Sequence, residues 1–133
     1  MISQKSRPRS IVKDRRVPEV IVDFEYDNRG LLFIIIQNIG LSSAYQTSIK
    51  FDREITGIRS DKKLTDISIF KSLEFLPPGK RICIFVDSFL SYLYRKQPLI
   101  VNTIISYSNK NKQKFREVIK HDLSIYKEVV NVL

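Results

Sequence analysis

One cysteine, one histidine, four glycines and no tryptophan leave this 133-residue chain poor in the groups that most often carry chemistry. A lone thiol excludes an intramolecular disulfide, and Cys83, set among apolar neighbours in RICIFV, is expected to be a buried thiol in a reducing compartment. Cys83 and His121 together fall short of the ligands that zinc requires. Gly30, Gly40, Gly57 and Gly79 are too scattered to form a phosphate-cradling loop. Long apolar runs are missing too. Leu31 to Ile36 is six residues, against the roughly 18 to 20 that a membrane-spanning helix needs. The opening MISQKSRPRS lacks the apolar centre of a signal peptide, so a soluble chain is expected.

Hydrophobic residues make up 43% and charged residues 28%, proportions that allow one folded domain with a single core of two layers. The net charge is +9 and unevenly placed. Lys5, Arg7, Arg9, Lys13, Arg15 and Arg16 stand against Asp14 alone within residues 1–17, so +5 of the +9 belongs to that stretch. With Pro8 and few large apolar groups, residues 1–17 read as a flexible basic arm.

Beyond the arm the apolar period is two. Val20, Val22, Phe24 and Tyr26 alternate with Ile21, Asp23 and Glu25, and DNRG offers a hairpin turn into the apolar run. That run, apolar on both faces, is expected at the centre of a sheet, covered above and below at its middle. QNIGLSSA breaks the pattern, and the next strand places Tyr45, Thr47, Ile49 and Phe51 on one side. Residues 52–66 lose the period. Asp52, Glu54, Asp61 and Asp66 there lack the spacing of a calcium loop and are diluted by Arg53, Arg59, Lys62 and Lys63, so a solvated connection is expected. ISIFKSLEFL is expected to be one irregular strand, PPGK a turn, and RICIFVDS a strand with Ile82, Ile84 and Val86 opposite Cys83 and Phe85. Ser88 caps the single expected helical turn, SFLSYLYRKQP, which Pro98 ends. LIVNTIISY, the loop SNKNKQ and KFREVIKHDLSIY form a last hairpin, with Glu117 and His121 marking a partly exposed edge and His121 read as solvated. Residues 127–133 extend the sheet or trail off as a tail. About seven strands with turns at short intervals predict an all-β, antiparallel β-sandwich over residues 18–126.

The stretches IIIQNIGLSSAYQTSIKF, LPPGKRICIF, IISYSNKNKQKF and KHDLSIY resemble the immunoglobulin-like and fibronectin-like modules of the cell-adhesion-related (CARDB-like) type, a similarity that covers about Pro18 to Tyr126. They are also similar to uncharacterised bacterial and archaeal proteins that carry one such domain beside a membrane anchor. The resemblance implies a fold and brings no catalytic residues with it. The cysteine pair and tryptophan that pin antibody domains are missing, and Tyr107 stands at the end of its strand, away from the position of a tyrosine corner.

Titratable groups do not cluster in the sequence, so no enzyme, cofactor or metal is expected. The leading expectation is a non-catalytic immunoglobulin-like interaction or structural module, with a protein partner adding as a strand at an open sheet edge. The arm residues Lys5, Arg7, Arg9, Lys13, Arg15 and Arg16 suit an anionic membrane surface. If the arm follows an anchor, the positive-inside rule gives a cytoplasmic domain held to the inner face of the membrane through a segment outside this chain. The alternative is a nucleic-acid-binding accessory protein, in which Tyr92, Tyr94, Arg95 and Lys96 join Lys110, Lys112, Lys114 and Arg116 to neutralise phosphates and stack bases.

Overall fold

The computed structural model describes residues 16–59 and 62–132. Its strands are β1 (Val20–Tyr26), β2 (Leu31–Asn38), β3 (Ala44–Phe51), β4 (Leu73–Leu76), β5 (Arg81–Ser88), β6 (Ile100–Ser108) and β7 (Lys114–Asp122). Every pairing is antiparallel, and the strands divide into a three-stranded sheet, β1-β2-β5, and a four-stranded sheet, β4-β3-β6-β7. The all-β sandwich expected from the alternation is what the chain forms.

Helices exceed the single turn expected. A 3-10 turn at Leu64–Asp66 leads into α1 (Ser68–Lys71), α2 spans Phe89–Tyr94 and α3 spans Ile125–Val132. The stretch expected to be one irregular strand is thus α1 followed by β4. The helical turn carries Phe70 fully into the core, edge-on to Phe51 at 4.9 Å. The expected tail is α3, fastened by Tyr126, whose hydroxyl donates to the Phe24 carbonyl at 2.7 Å and whose ring stacks on Tyr26 at 5.3 Å. At α2 the Ser88 hydroxyl accepts from the Ser91 N–H at 3.2 Å, the cap that the sequence indicates.

The first hairpin turns where Asp27 gathers the backbone N–H groups of Arg29 and Leu31 and Gly30 adopts φ +81°. It delivers β2 to the centre of its sheet. Leu32, Ile34 and Ile36 point inward and are fully buried, and each contributes roughly 1.5–3 kcal/mol through burial. On the outer face Ile35 is also covered, between Asp23 of β1 and Cys83 of β5. The expectation of a strand buried at its middle on both faces therefore holds.

The expected burial of Cys83 does not. Cys83 is exposed, because the inner positions of β5 are Ile82, Ile84 and Val86 while Cys83 and Phe85 face outward from an edge strand. Alternation separates the two sets without saying which of them meets the opposite sheet.

Asn38 ends β2 in full burial and resolves the turn that follows. Its Oδ1 accepts from the N–H groups of Glu19 (3.1 Å) and Gly40 (2.9 Å), and its Nδ2 donates to the carbonyls of Ser42 (2.9 Å) and Leu76 (2.8 Å). One amide thereby joins the entry to β1, the β2–β3 turn and the end of β4. Gly40 is required beside it, since a Cβ there would lie 2.4 Å from the Glu19 nitrogen and the Val17 oxygen. The same turn grips the end of the arm. Leu41 N–H donates to the Val17 carbonyl at 3.0 Å, and the Ser42 hydroxyl to that of Arg16 at 3.3 Å.

Candidate anion-binding face

The arm residues Lys5, Arg7, Arg9, Lys13 and Arg15 lie outside the described residues. Arg16, exposed at the arm's end, is described. Of the α2 cluster, two members are built into the fold. Tyr92 is fully buried with its hydroxyl on the Pro98 carbonyl, and burial raises its pKa, so it offers no face for stacking. Arg95 is paired with Asp87 at 3.0 Å and donates to the Thr56 hydroxyl (2.7 Å) and carbonyl (3.1 Å). Tyr94 is 88% exposed, and Lys96 takes the left-handed position (φ +56°) that closes α2. Sequence proximity placed these groups together because a helical turn looks locally like a basic aromatic cluster, whichever way its side chains point.

Lys110, Lys112, Lys114 and Arg116 are all exposed on the β6–β7 hairpin and β7. Pairing sets Tyr45 opposite Ser108 and Ser108 opposite Lys114, then Ser48 opposite Ser106 and Ser106 opposite Arg116, so short hydroxyl side chains separate an aromatic from cations. Lys50 and Lys120 continue the outer face. Three adjoining clefts of about 340, 540 and 490 Å³ run along this end of the sheet, and Arg16 lines the last beside Lys110. Among the described residues the ion pairs are Arg29–Asp27, Lys63–Glu54, Arg81–Glu25 and Arg95–Asp87, so none of the cations on this face is neutralised by one.

Tyr45 is here against the expected alternation. It shares the outer face with Phe75 of β4, ring centroids 5.5 Å apart, because the β3–β6 register shifts between Tyr45 and Ser48 and Gln46 adopts φ +52°. This bulge reverses the phase, leaving Ala44, Thr47 and Ile49 inside. The Thr47 hydroxyl, buried, has no hydrogen-bond partner among the described residues. Gln46 and Lys112 (φ +66°) both hold left-handed conformations and both line the 540 Å³ cleft. Neither was singled out for its backbone in the sequence, where nothing distinguishes a bulged glutamine from a regular one.

His121 is buried rather than solvated. Its Nε2 lies 3.0 Å from the Thr103 hydroxyl and its ring meets Phe24 edge-on at 5.0 Å. Burial lowers its pKa below the ordinary 6.5, opposed by the carboxylate of Asp23. The unfolded chain therefore takes up this proton first. The associated stability is present above about pH 6.5 and declines as pH falls through that value. Urea midpoints measured between pH 8 and pH 5 should drop, and the drop should be smaller in His121→Gln; an unchanged slope in that variant would refute the assignment. Tyr107, similarly buried, donates to Glu117 at 2.5 Å, and burial followed by that carboxylate raises its pKa.

Among the described residues no group of three or more His, Cys, Asp or Glu converges on a metal position. No helix there is long and apolar enough to cross a membrane. No curated protein matches the sequence. With residues 1–127 matched by its model, the chain belongs to the family described as Domain of unknown function (DUF8453).

Proposed function

We propose that this chain is a non-catalytic immunoglobulin-like binding module that holds an anionic partner on the outer face of β4-β3-β6-β7. The immunoglobulin-like reading rests on strand order. Sheets β1-β2-β5 and β4-β3-β6-β7, with the chain crossing between them after β2, β4 and β5, follow a Greek-key sandwich in which the fourth strand has moved to the second sheet. The binding reading rests on one observation. Lys110, Lys112, Lys114 and Arg116 border clefts floored by serine, and the basic arm enters the fold at Arg16 on their rim. Arg16, the described end of the basic stretch, thus shares a cleft rim with Lys110, where their fields add. Strand addition by a partner peptide is disfavoured at β7, whose outward lysines and arginine blunt that edge.

Replacing Lys110, Lys112, Lys114 and Arg116 together by serine should lower the salt concentration at which the protein leaves a heparin column by about half, because each lost contact removes a released counterion. The variant's far-ultraviolet circular dichroism should stay unchanged, since all four side chains are exposed. Elution at the same salt would end the proposal. An anionic membrane, with the domain on the cytoplasmic side, is the second source of negative charge, favoured by the arm. Retention on phosphatidylserine vesicles that survives the serine substitutions and disappears when residues 1–15 are removed would favour it.

A further inference from the structure

The 540 Å³ cleft contains one group that an anion site should exclude. Glu74, exposed on β4, lines it with Lys110, Lys112 and Lys114, together with Tyr45 and Gln46. A carboxylate facing those cations lowers affinity for any plain polyanion and for a charged bilayer. It becomes useful when the ligand carries hydrogen-bond donors beside its negative charge. Tyr45 and Phe75 lie against each other close by, and Phe75 is 53% exposed, which leaves an aromatic surface open.

Resting on the binding reading above, we infer that the partner is single-stranded nucleic acid containing bases with an exocyclic amine. The backbone phosphates follow Lys110, Lys112, Lys114 and Arg116, and a base stacks on the Tyr45–Phe75 pair. Its amino group donates to the Glu74 carboxylate, the pairing that carboxylates make with cytosine, while the Gln46 amide supplies the donor and acceptor that adenine takes. The separation suits this division. Tyr45 and Lys114 lie two strand spacings apart, roughly 10 Å across the sheet. A duplex hides its base faces, and a bilayer is too flat to enter a recessed cleft.

The backbone supplies an independent reason. A bulge residue in the left-handed region is ordinarily glycine, as is the corresponding residue of a tight hairpin. This chain places Gln46 and Lys112 there, and both side chains line this cleft. Left-handed backbone held by a large side chain marks sites where the side chain serves something other than the fold. Glycine at either position should therefore raise the thermal midpoint while weakening binding.

The test is fluorescence anisotropy with 12-mers of dC, dA and dT, beside polyphosphate of equal charge and phosphatidylserine vesicles as competitors, on the full chain. The dC and dA strands should bind more tightly than dT, with affinity falling roughly 50-fold between 50 and 200 mM salt if about four phosphates are neutralised. Phe75→Ser should weaken them about tenfold. Glu74→Ala provides a difference of sign: it should weaken dC while strengthening polyphosphate. If Glu74→Ala strengthens dC and polyphosphate alike, or dT binds as tightly as dC, the nucleic-acid inference fails and the anion-binding reading survives. If vesicles displace the strands at equal phosphate and bind Phe75→Ser unchanged, the inference falls in favour of a membrane. Failure of every anion to bind at 50 mM salt would remove both.

Discussion

Asn38→Ala should cost the protein roughly 3 kcal/mol or more, a large part of the 5–15 kcal/mol that holds a domain of this kind together. The truncation removes little volume, and its effect comes through hydrogen bonds. The N–H groups of Glu19 and Gly40 and the carbonyls of Ser42 and Leu76 all lose their partner, and the Leu76 bond is wholly buried. Each unsatisfied buried group costs about 1–3 kcal/mol, with water relieving the part-buried ones. Asn38→Asp should be similarly harmful, since it keeps the acceptor, loses both donated bonds and turns a carboxylate toward two carbonyl oxygens. Equilibrium urea unfolding measures both. A loss below about 1 kcal/mol for Asn38→Ala would mean that the turn holds itself, and the role assigned to the amide would be wrong.

The second large effect is expected at Asp87. This carboxylate is 2% exposed, accepts the Ser88 N–H at 2.8 Å and pairs with Arg95, whose guanidinium also holds Thr56. Thr56 is tied further to the Gln97 side chain at 2.9 Å. Asp87→Ala leaves a mostly buried guanidinium without its counter-charge, a change that typically costs 3–5 kcal/mol. Asp87→Leu combined with Arg95→Met should recover most of that, because an apolar pair of similar volume avoids the desolvation penalty. The loop that follows β3 should respond locally in the single variant, becoming cleavable by trypsin at Arg53 or Arg59 under native conditions. If the double variant is no more stable than Asp87→Ala, the energy resides in packing rather than in the unpaired charge.

Both sites bear on what was legible. Asn38 lies in QNIGLSSA, where the strand pattern breaks and the chain turns, but the reach of its amide to Leu76 depends on the fold bringing β4 alongside β3. Strand periods were readable because a buried face repeats every second residue, and six of the seven strands lie where alternating or β-branched runs lie, while β4 is the short end of a stretch without a clear period. Face assignment failed at two kinds of place. In β5 both sets of side chains are apolar, so the exposure of Cys83 follows from an edge position that is settled only when the sheets assemble. In β3 a bulge at Gln46 reverses the phase, and the register shift against β6 that goes with it exists only once the two strands pair. Within the candidate site, Lys110, Lys112, Lys114 and Arg116 were identified by composition. Tyr45, Gln46 and Glu74 were not, because their proximity requires β3, β4 and the β6–β7 hairpin to be neighbours. Arg95 was misread for the opposite reason: a cation beside tyrosines in sequence gives no indication that a buried aspartate eight residues earlier already holds it.

The outward-facing thiol of Cys83 has a practical corollary. It is the chain's single cysteine and sits on the opposite side of the sandwich from Tyr45, Lys114 and Arg116. A maleimide dye can therefore be attached at one known point without occupying the basic clefts. With two sheets packed about 10 Å apart, that dye would lie within energy-transfer range of a second fluorophore on anything docked across the body. The molecule thus arrives with its own ruler for locating what it captures.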